Sequence, residues 1–179
     1  MPLNNEMLRT SLSKFMDPDS DNFVKLAATN VEFADFWKSA IYEYTLPMTP
    51  IALNPAVWLA ATEASTTALR TALLPSFLPD PTGLVYETIF NLAFLAYGTA
   101  LAVAIPISSA PPPSAPPTIV VATPPIFPLG TAIKVEVFPI GISGGSYSDI
   151  VNKHVEVINR WFKAGTFTNT GTTAVINWS

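Results

Sequence analysis

Residues Thr88–Ile107 read TIFNLAFLAYGTALAVAIPI, and the rest of the chain must fold in a way that accommodates this stretch. It contains no charged residue, and Asn91 is its only strongly polar side chain. It is about as long as a helix that spans a bilayer. The protein must therefore hide these residues in its own core, in lipid or against a partner.

A short internal repeat favours the core over lipid. The sequence LRTSL at residues 8–12 recurs as LRTAL at residues 69–73. Each copy is followed by a Phe, an Asp/Pro turn and a second helical segment that ends in an aliphatic residue and a proline. We therefore predict a repeated helix–turn–helix unit, in which the apolar stretch corresponds to residues 31–46.

The comparison between the two copies defines the expected place of the apolar stretch. Residues 31–46 are amphipathic, so we expect 88–107 to be the wholly buried helix of a bundle, ended by Pro106. Gly98 and Ala102 would allow another helix to approach closely. No Lys or Arg lies between residues 70 and 134, so the basic flanks typical of a membrane span are missing.

Capping residues and apolar periodicity predict the helices. Asn4 or Asn5 caps a helix to Asp17, a Thr29–Glu32 capping box opens the second helix, and Asn54-Pro55 opens a third helix to about residue 74. The fourth helix covers residues 83–105. Ser146 or Ser148 caps a last helix to Ala164, with Gly165 as the residue that stops it.

The second half of the chain is predicted to be less regular. Residues 108–128 are rich in proline and favour an extended conformation. Ala132–Phe138 alternates in hydrophobicity and predicts a strand. Residues 166–179 read as a hairpin with its turn at Gly171.

The predicted fold is mainly α, a helical bundle with a Pro-rich extended arm and a short C-terminal β-hairpin. Residues 1–107 form the bundle and residues 108–145 form the arm. Residues 146–179 form the last helix and the hairpin, which pack on the bundle or on a neighbour.

The composition excludes several classes of function. The chain of 179 residues is 49% hydrophobic and only 12% charged, which favours a subunit that lives among partners. Its Lys and Arg residues are scattered, so no nucleic-acid surface is expected. Cysteine is absent, which removes thiol chemistry and disulfides. The first residues lack the pattern of a signal peptide.

No residue set points to catalysis, a cofactor or a metal. The single histidine, His154, lies on the last predicted helix and is interpreted as structural. The aspartates within residues 17–21 lack the glycine and distal glutamate of a calcium loop, so we predict a turn. We expect that the protein is not an enzyme.

Several segments together resemble small virion structural proteins of tailed bacteriophages. These segments are LNNEMLRTSLSKF, EFADFWKSAIYEY, ALRTALLPSF, the Pro-rich run before a last helix, and GTFTNTGTTAVINWS. The resemblance covers most of the chain and implies a place in the neck, head–tail connector, tail or baseplate. It implies no catalytic residue.

These observations predict a structural subunit located in the virion. Its partners would be other virion proteins and copies of itself in a symmetric assembly, contacted through the arm and the C-terminal strand. The residues predicted to contact partners are Phe127, Phe138, Val175, Ile176 and Trp178. Two alternatives stay open: a membrane-inserted pore or lysis protein that uses residues 88–107 as a span, and a small enzyme or ligand carrier with an apolar pocket.

Overall fold

The computed structural model describes residues 3–16, 29–48, 55–75, 84–109, 120–169 and 175–178. This part of the chain is mainly helical and ends in a short antiparallel hairpin, as the sequence predicts. The elements in chain order are α1 (Asn5–Met16), α2 (Asn30–Thr45), α3 (Pro55–Leu73), α4 (Leu84–Ser109), β1 (Val120–Thr123), α5 (Leu129–Glu136), α6 (Phe138–Ile142), α7 (Tyr147–Ala164), β2 (Thr166–Asn169) and β3 (Val175–Asn177).

The predicted capping residues begin three of the helices. Asn4 Oδ1 accepts a backbone N–H three residues further along at 3.1 Å, which confirms Asn4 as the cap of α1. Thr29 Oγ1 accepts the N–H of Glu32 at 3.2 Å. Ser146 and Asp149 form a reciprocal capping box at the start of α7. These side chains satisfy backbone donors that the first helical turn leaves open.

The inner faces of α2, α4 and α7 meet in an aromatic core. Ring contacts between these helices include Trp37–Phe90 (4.9 Å between centroids), Phe94–Trp161 (5.1 Å) and Tyr44–Phe162 (5.2 Å). All three pairs are edge-to-face, the arrangement that aromatic quadrupoles favour. The helix α7 therefore joins the two helix pairs, because its rings contact both α2 and α4.

The two matching sequence segments each lie on a helix that is followed along the chain by a longer one. Leu8 and Leu12 of α1 are buried, and so are Leu69 and Leu73 of α3. The order along the chain gives the pairs α1–α2 and α3–α4. Residues 17–28 and 76–83, which include the predicted turn at 17–21, lie outside the described residues.

Three strands form one antiparallel sheet in the order β1-β2-β3. Val121 of β1 stands opposite Thr168 of β2, and Phe167 of β2 stands opposite Ile176 of β3. The strand β1 comes from the Pro-rich half of the chain. The arm thus contributes a strand to the C-terminal hairpin, and residues 120–145 pack on their own bundle.

The predicted strand at Ala132–Phe138 is wrong, because this segment is helical. The residues Leu129, Gly130, Ile133 and Val137 are buried, whereas Val135 is 65% exposed. These buried positions follow the i, i+4, i+8 spacing of a helix face. Lys134 and Glu136 lie beside the buried face of this helix, in ion pairs with α4 and α7. Charged residues therefore stand between the apolar ones in the sequence, which gives the same alternation as a strand.

The expectation that α4 is wholly buried is also wrong. Its inner face is fully buried, but Leu92 and Leu95 on the opposite face are 56% and 61% exposed. The helix also continues to Ser109, three residues beyond Pro106, so this proline does not end it. The bundle needs only one side of α4, and its other side meets solvent.

Gly98 provides a close approach, but not to another helix. A Cβ at Gly98 would lie 2.8 Å from Cβ of Pro124. The extended segment after β1 therefore lies directly on the α4 backbone. A Cβ at Gly130 would overlap the carbonyl oxygen of Glu87, so α5 also crosses α4 closely.

Candidate interaction surface

Two of the predicted partner-contacting residues are partly used within the chain. The carbonyl of Phe127 accepts the indole N–H of Trp161 at 3.2 Å, and the Arg160 guanidinium lies 5.8 Å from the Phe127 ring centroid. The ring centroid of Phe138 lies 5.4 Å from that of Tyr86. Both phenylalanines are half-buried, so part of each ring still faces solvent.

The assignment of Trp178 to a partner contact is corrected. Its side chain is fully buried, its indole N–H donates to the Thr166 carbonyl at 2.9 Å, and its ring stacks on Phe167. Its backbone N–H donates to the Gly165 carbonyl, also at 2.9 Å. Because a hydrophobic side chain near a chain end can anchor either to its own core or to a neighbour, the sequence could not separate these roles.

The C-terminal strand keeps one exposed candidate side chain. Val175 is 60% exposed. Ile176 is placed by its backbone register opposite Phe167, and its side chain lies outside the described part of the structure. Within the described residues β3 is an edge strand, paired only with β2. This edge can accept a further strand from a partner.

The outer face of α4 is an apolar feature that the sequence analysis missed. We define it as six exposed residues: Leu84, Thr88, Leu92, Leu95, Thr99 and Val103. The signal was present in the sequence, because Phe90, Phe94 and Tyr97 all lie on the opposite side of the helix. A helix that concentrates its aromatic residues on one side needs only that side for the core.

Small residues extend this apolar surface onto α3. The exposed residues Ala60, Ala64, Thr67 and Thr71 share one helical face. The ionic residues of α3 point another way: Glu63 binds Lys38 of α2 at 2.6 Å, and Arg70 binds Asp35 of α2. The small-residue stripe therefore lies away from the ion pairs with α2, on a helix that packs closely against α4.

A polar network borders the other side of α4. Lys134 Nζ lies 2.7 Å from Glu87 Oε2, and the Thr131 hydroxyl donates to Glu87 Oε1 at 2.8 Å. The Asn91 amide donates to the Thr131 hydroxyl at 3.1 Å. The hydrogen bonds from Lys134 and Thr131 lower the pKa of Glu87 below its ordinary value. This network fixes α5 on α4 and pairs the polar side chains that α4 carries beside its outer face.

A second group of exposed apolar side chains lies on the arm. Ile126 is 99% exposed, Ile142 is 80% exposed and Val135 is 65% exposed. Each follows or belongs to an element that packs on the bundle, so the arm holds these side chains at defined places on the surface. These side chains are candidates for contact with a partner, since contiguous exposed apolar surface marks interaction sites.

The histidine occupies a structural place. His154 is buried on α7, and its Nδ1 lies 2.9 Å from the carbonyl oxygen of Ile150. Burial lowers its pKa to about 4, so the ring is neutral at physiological pH. Within the described residues, no group of three or more His, Asp or Glu side chains could hold a metal ion.

A shallow groove of about 230 Å³ lies between α1 and α2. Its lining combines carboxylates, hydroxyls and one amine, from Glu6, Met7, Thr10, Ser11, Lys14 and Glu43. Glu6 forms an ion pair with Arg9. The groove is open to solvent, so its charges are well hydrated and it offers little discrimination for a ligand.

Comparisons with models of protein families, with curated proteins and with solved structures find no match. Among the described residues, one helix is long and apolar enough to cross a membrane, at Leu84–Ile105, with a mean hydropathy of 1.8. Within this apolar stretch, 39% of the residues are buried inside the protein.

Proposed function

We propose that this chain is a non-enzymatic structural subunit of a tailed phage virion, placed in the neck, head–tail connector, tail or baseplate. The observation that carries the proposal is the amount of apolar side chain left in solvent on the arm, the C-terminal edge and α4. Large exposed apolar surfaces mark protein contact sites. The resemblance of the sequence to small virion proteins supports the same function.

The arm and the C-terminal strand are the proposed contact elements. Ile126 and Ile142 present nearly complete side chains to a neighbour, and apolar anchors of this kind supply much of the energy of a contact. The edge of β3 would add a strand from a partner through backbone hydrogen bonds. Permanent contacts between subunits agree with a low charge content, since few ions must be desolvated.

A mass-spectrometric inventory of purified particles tests the proposal. We expect the chain in the particles at a fixed copy number, and about six or twelve copies would indicate ring symmetry. Particles assembled with Ile126→Glu should contain less of the chain. Ser39→Glu, at an exposed position of α2, is the matched control. Absence of the wild-type chain from particles would contradict the proposal.

A membrane-inserted pore or lysis protein is the second candidate. It is favoured by the length and hydropathy of Leu84–Ile105. The ion pair of Glu87 with Lys134 stands against it, because a span at this place would bring that pair towards lipid. Extraction of expressed protein without detergent separates the two candidates. Recovery in the membrane fraction alone would support the pore and contradict the virion subunit.

A further inference from the structure

The outer face of α4 has the spacing of a helix–helix seam. Successive intervals of three and four residues separate Val85, Thr88, Leu92, Leu95, Thr99 and Ala102. Alternating intervals of three and four place side chains along one line of a helix that faces another helix. Four of these residues are exposed, and Val85 and Ala102 at the two ends are half-buried. The surface thus suits an α-helix as its partner.

This face also reads nearly the same in both directions along the helix. Leu92 and Leu95 stand at its centre, and the next exposed residues outward are Thr88 and Thr99. Beyond them lie Leu84 and Val103, two aliphatic residues that are 56% and 57% exposed. In an antiparallel two-fold contact, residues at equal distances from the centre face each other. The face is therefore complementary to a second copy of itself.

We propose that two copies of this chain pack antiparallel through the outer face of α4. The two-fold axis passes between Leu92 and Leu95, so that Leu92 of each copy meets Leu95 of the other. Thr88 then meets Thr99, and Leu84 meets Val103. The inference deepens the proposed function and rests on it only for its biological setting, since it names the face by which copies of the subunit meet.

The outer face of α4 can be buried in this contact without desolvating a charged group. None of the six residues is charged, so no ion is desolvated when the face meets its copy. The Thr88 hydroxyl donates to the Leu84 carbonyl of its own helix at 3.0 Å, which satisfies that donor inside an interface. Contact of identical apolar surfaces is then favoured by burial alone.

The available area indicates a contact of moderate strength. The face is about 28 Å long at a rise of about 1.5 Å per residue, and about 10 Å wide, so α4 alone offers about 300 Å² per copy. The stripe of small residues on α3 about doubles that area. A standard interface buries about 800 Å² on each partner. We therefore expect reversible pairing of isolated subunits that additional contacts would make permanent in an assembly.

A second copy suits this face better than lipid. The ion pairs of Lys38 with Glu63 and of Lys134 with Glu87 border α3 and α4 on their far sides. A bilayer deep enough to cover the α4 face would approach both pairs. A single partner helix covers the face between them and leaves both pairs in water.

Purified full-length protein without detergent provides the first test. Sedimentation from about 1 to 500 µM should show a reversible monomer–dimer equilibrium, the range being set by the small area. Leu92→Lys and Leu95→Glu should each weaken pairing by roughly a hundred-fold, because each buries unpaired charges. An equimolar mixture of the two variants should pair again. In the mixed dimer the introduced lysine of one copy meets the introduced glutamate of the other, and the second central contact joins two unchanged leucines.

Disulfide trapping tests the direction of packing, and the absence of cysteine from the chain makes it clean. A mixture of Thr88→Cys and Thr99→Cys should form a mixed disulfide dimer on mild oxidation. Thr88→Cys alone should not, because its two copies would lie about 16 Å apart. Ser39→Cys on α2 is the exposed control. Circular dichroism verifies that each variant is folded.

Three results would overturn the inference. The first is a monomer throughout the concentration range, and the second is efficient trapping by Thr88→Cys alone, which would show parallel packing. The third is binding of the monomer to phosphatidylcholine vesicles that Leu92→Lys abolishes, which would make lipid the occupant. Failure of pairing would leave presence in particles unaffected, whereas absence from particles would leave pairing intact, so the two proposals fail separately.

Discussion

The helices α2 and α4 each come second in their helix pair, yet their outer faces differ. The exposed face of α2 carries Glu32, Asp35, Ser39 and Glu43. Over residues 84–105, where side-chain exposure is described, the exposed face of α4 carries only leucine, threonine and valine. Their inner faces are alike, because both are buried and rich in aromatic residues. A bundle constrains only the inner face of a helix, so an apolar outer face requires another cause.

Burial and composition must therefore be considered separately for each face of a helix. Mean hydropathy marks α4 as a candidate membrane span, but much of that signal comes from residues that the core already uses. What remains is one exposed line of aliphatic residues. The comparison predicts that changes on the inner faces reduce stability in both helices, whereas changes on the outer face of α4 affect association.

The largest effect is expected where the two inner faces meet. Trp37→Ala and Phe90→Ala should each reduce the free energy of unfolding by about 3–5 kcal/mol, since both side chains are fully buried. Their rings are in edge-to-face contact, so the double variant should cost about 0.5–1.5 kcal/mol less than the sum. Urea denaturation measures all three. Additive losses would show that the two inner faces are energetically independent.

A pH effect tests α7, the helix that contacts both inner faces. The buried His154 has a pKa of about 4 in the folded chain, against about 6.5 when unfolded. Above pH 6.5 both states are neutral, and stability is greatest. As the pH falls from 6.5 towards 4, the unfolded state takes up the proton first, and about 3 kcal/mol is lost in all.

Urea denaturation between about pH 7 and pH 5 isolates this contribution, because most carboxylates titrate lower. Glu136 has a lowered pKa because of its hydrogen bond to Arg160, so its effect also falls at more acidic pH. The variant His154→Gln should lose most of the pH dependence in this window. An unchanged slope in that variant would assign the dependence to other groups.

Gly98 should show a reversed response to alanine. Alanine in place of glycine normally stabilises a helix by up to about 1 kcal/mol. At Gly98 the added Cβ would press on Pro124, so we expect a loss of about 1–3 kcal/mol. Thr99→Ala, one residue along and exposed, is the control. A stabilised Gly98→Ala would mean that the arm can move away from α4.

The smallest effect is expected on the outer face of α4. Leu95→Gln should change the unfolding free energy of the dilute protein by less than about 0.5 kcal/mol, because this side chain faces solvent. Leu101→Gln, on the buried side of the same helix, should be severely destabilising. Thermal denaturation at low concentration compares them. Equal losses in the two variants would show that the outer leucines belong to the fold.

Much of the fold could be predicted from local chemistry. Thr29 and Ser146 cap helices because their hydroxyls accept backbone donors, and that bond depends only on neighbours in the sequence. The end of α7 before Gly165 and the two C-terminal strands follow from similarly local patterns. The paired leucines of the repeat are buried as their shared spacing indicates.

Apart from the expected end of α4 at Pro106, the errors concern contacts between distant parts of the chain. Residues 132–138 form helix because α5 lies across α4, with Gly130 against Glu87, and alternation alone carries no information on that contact. Trp178 is buried because Gly165 leaves room for its indole. Leu92 and Leu95 are exposed because the neighbouring elements that the structure describes pack only on the opposite side of α4. Periodicity identifies a face, but the number of layers on it is a tertiary property.

The contact between α1 and α7 has a consequence for the order of events during synthesis. Arg9 donates to the side chain of Asn152 at 2.9 Å, and the Tyr147 hydroxyl donates to the Ser13 carbonyl. These partners lie 143 and 134 residues apart in the chain. The contact between α1 and α7 can therefore form only after nearly the whole chain has left the ribosome, although α1 can pack on α2 earlier. Long-range closure slows folding, so the rings of Tyr44 and Phe94, which α7 covers in the folded chain, stay uncovered until α7 has been synthesised.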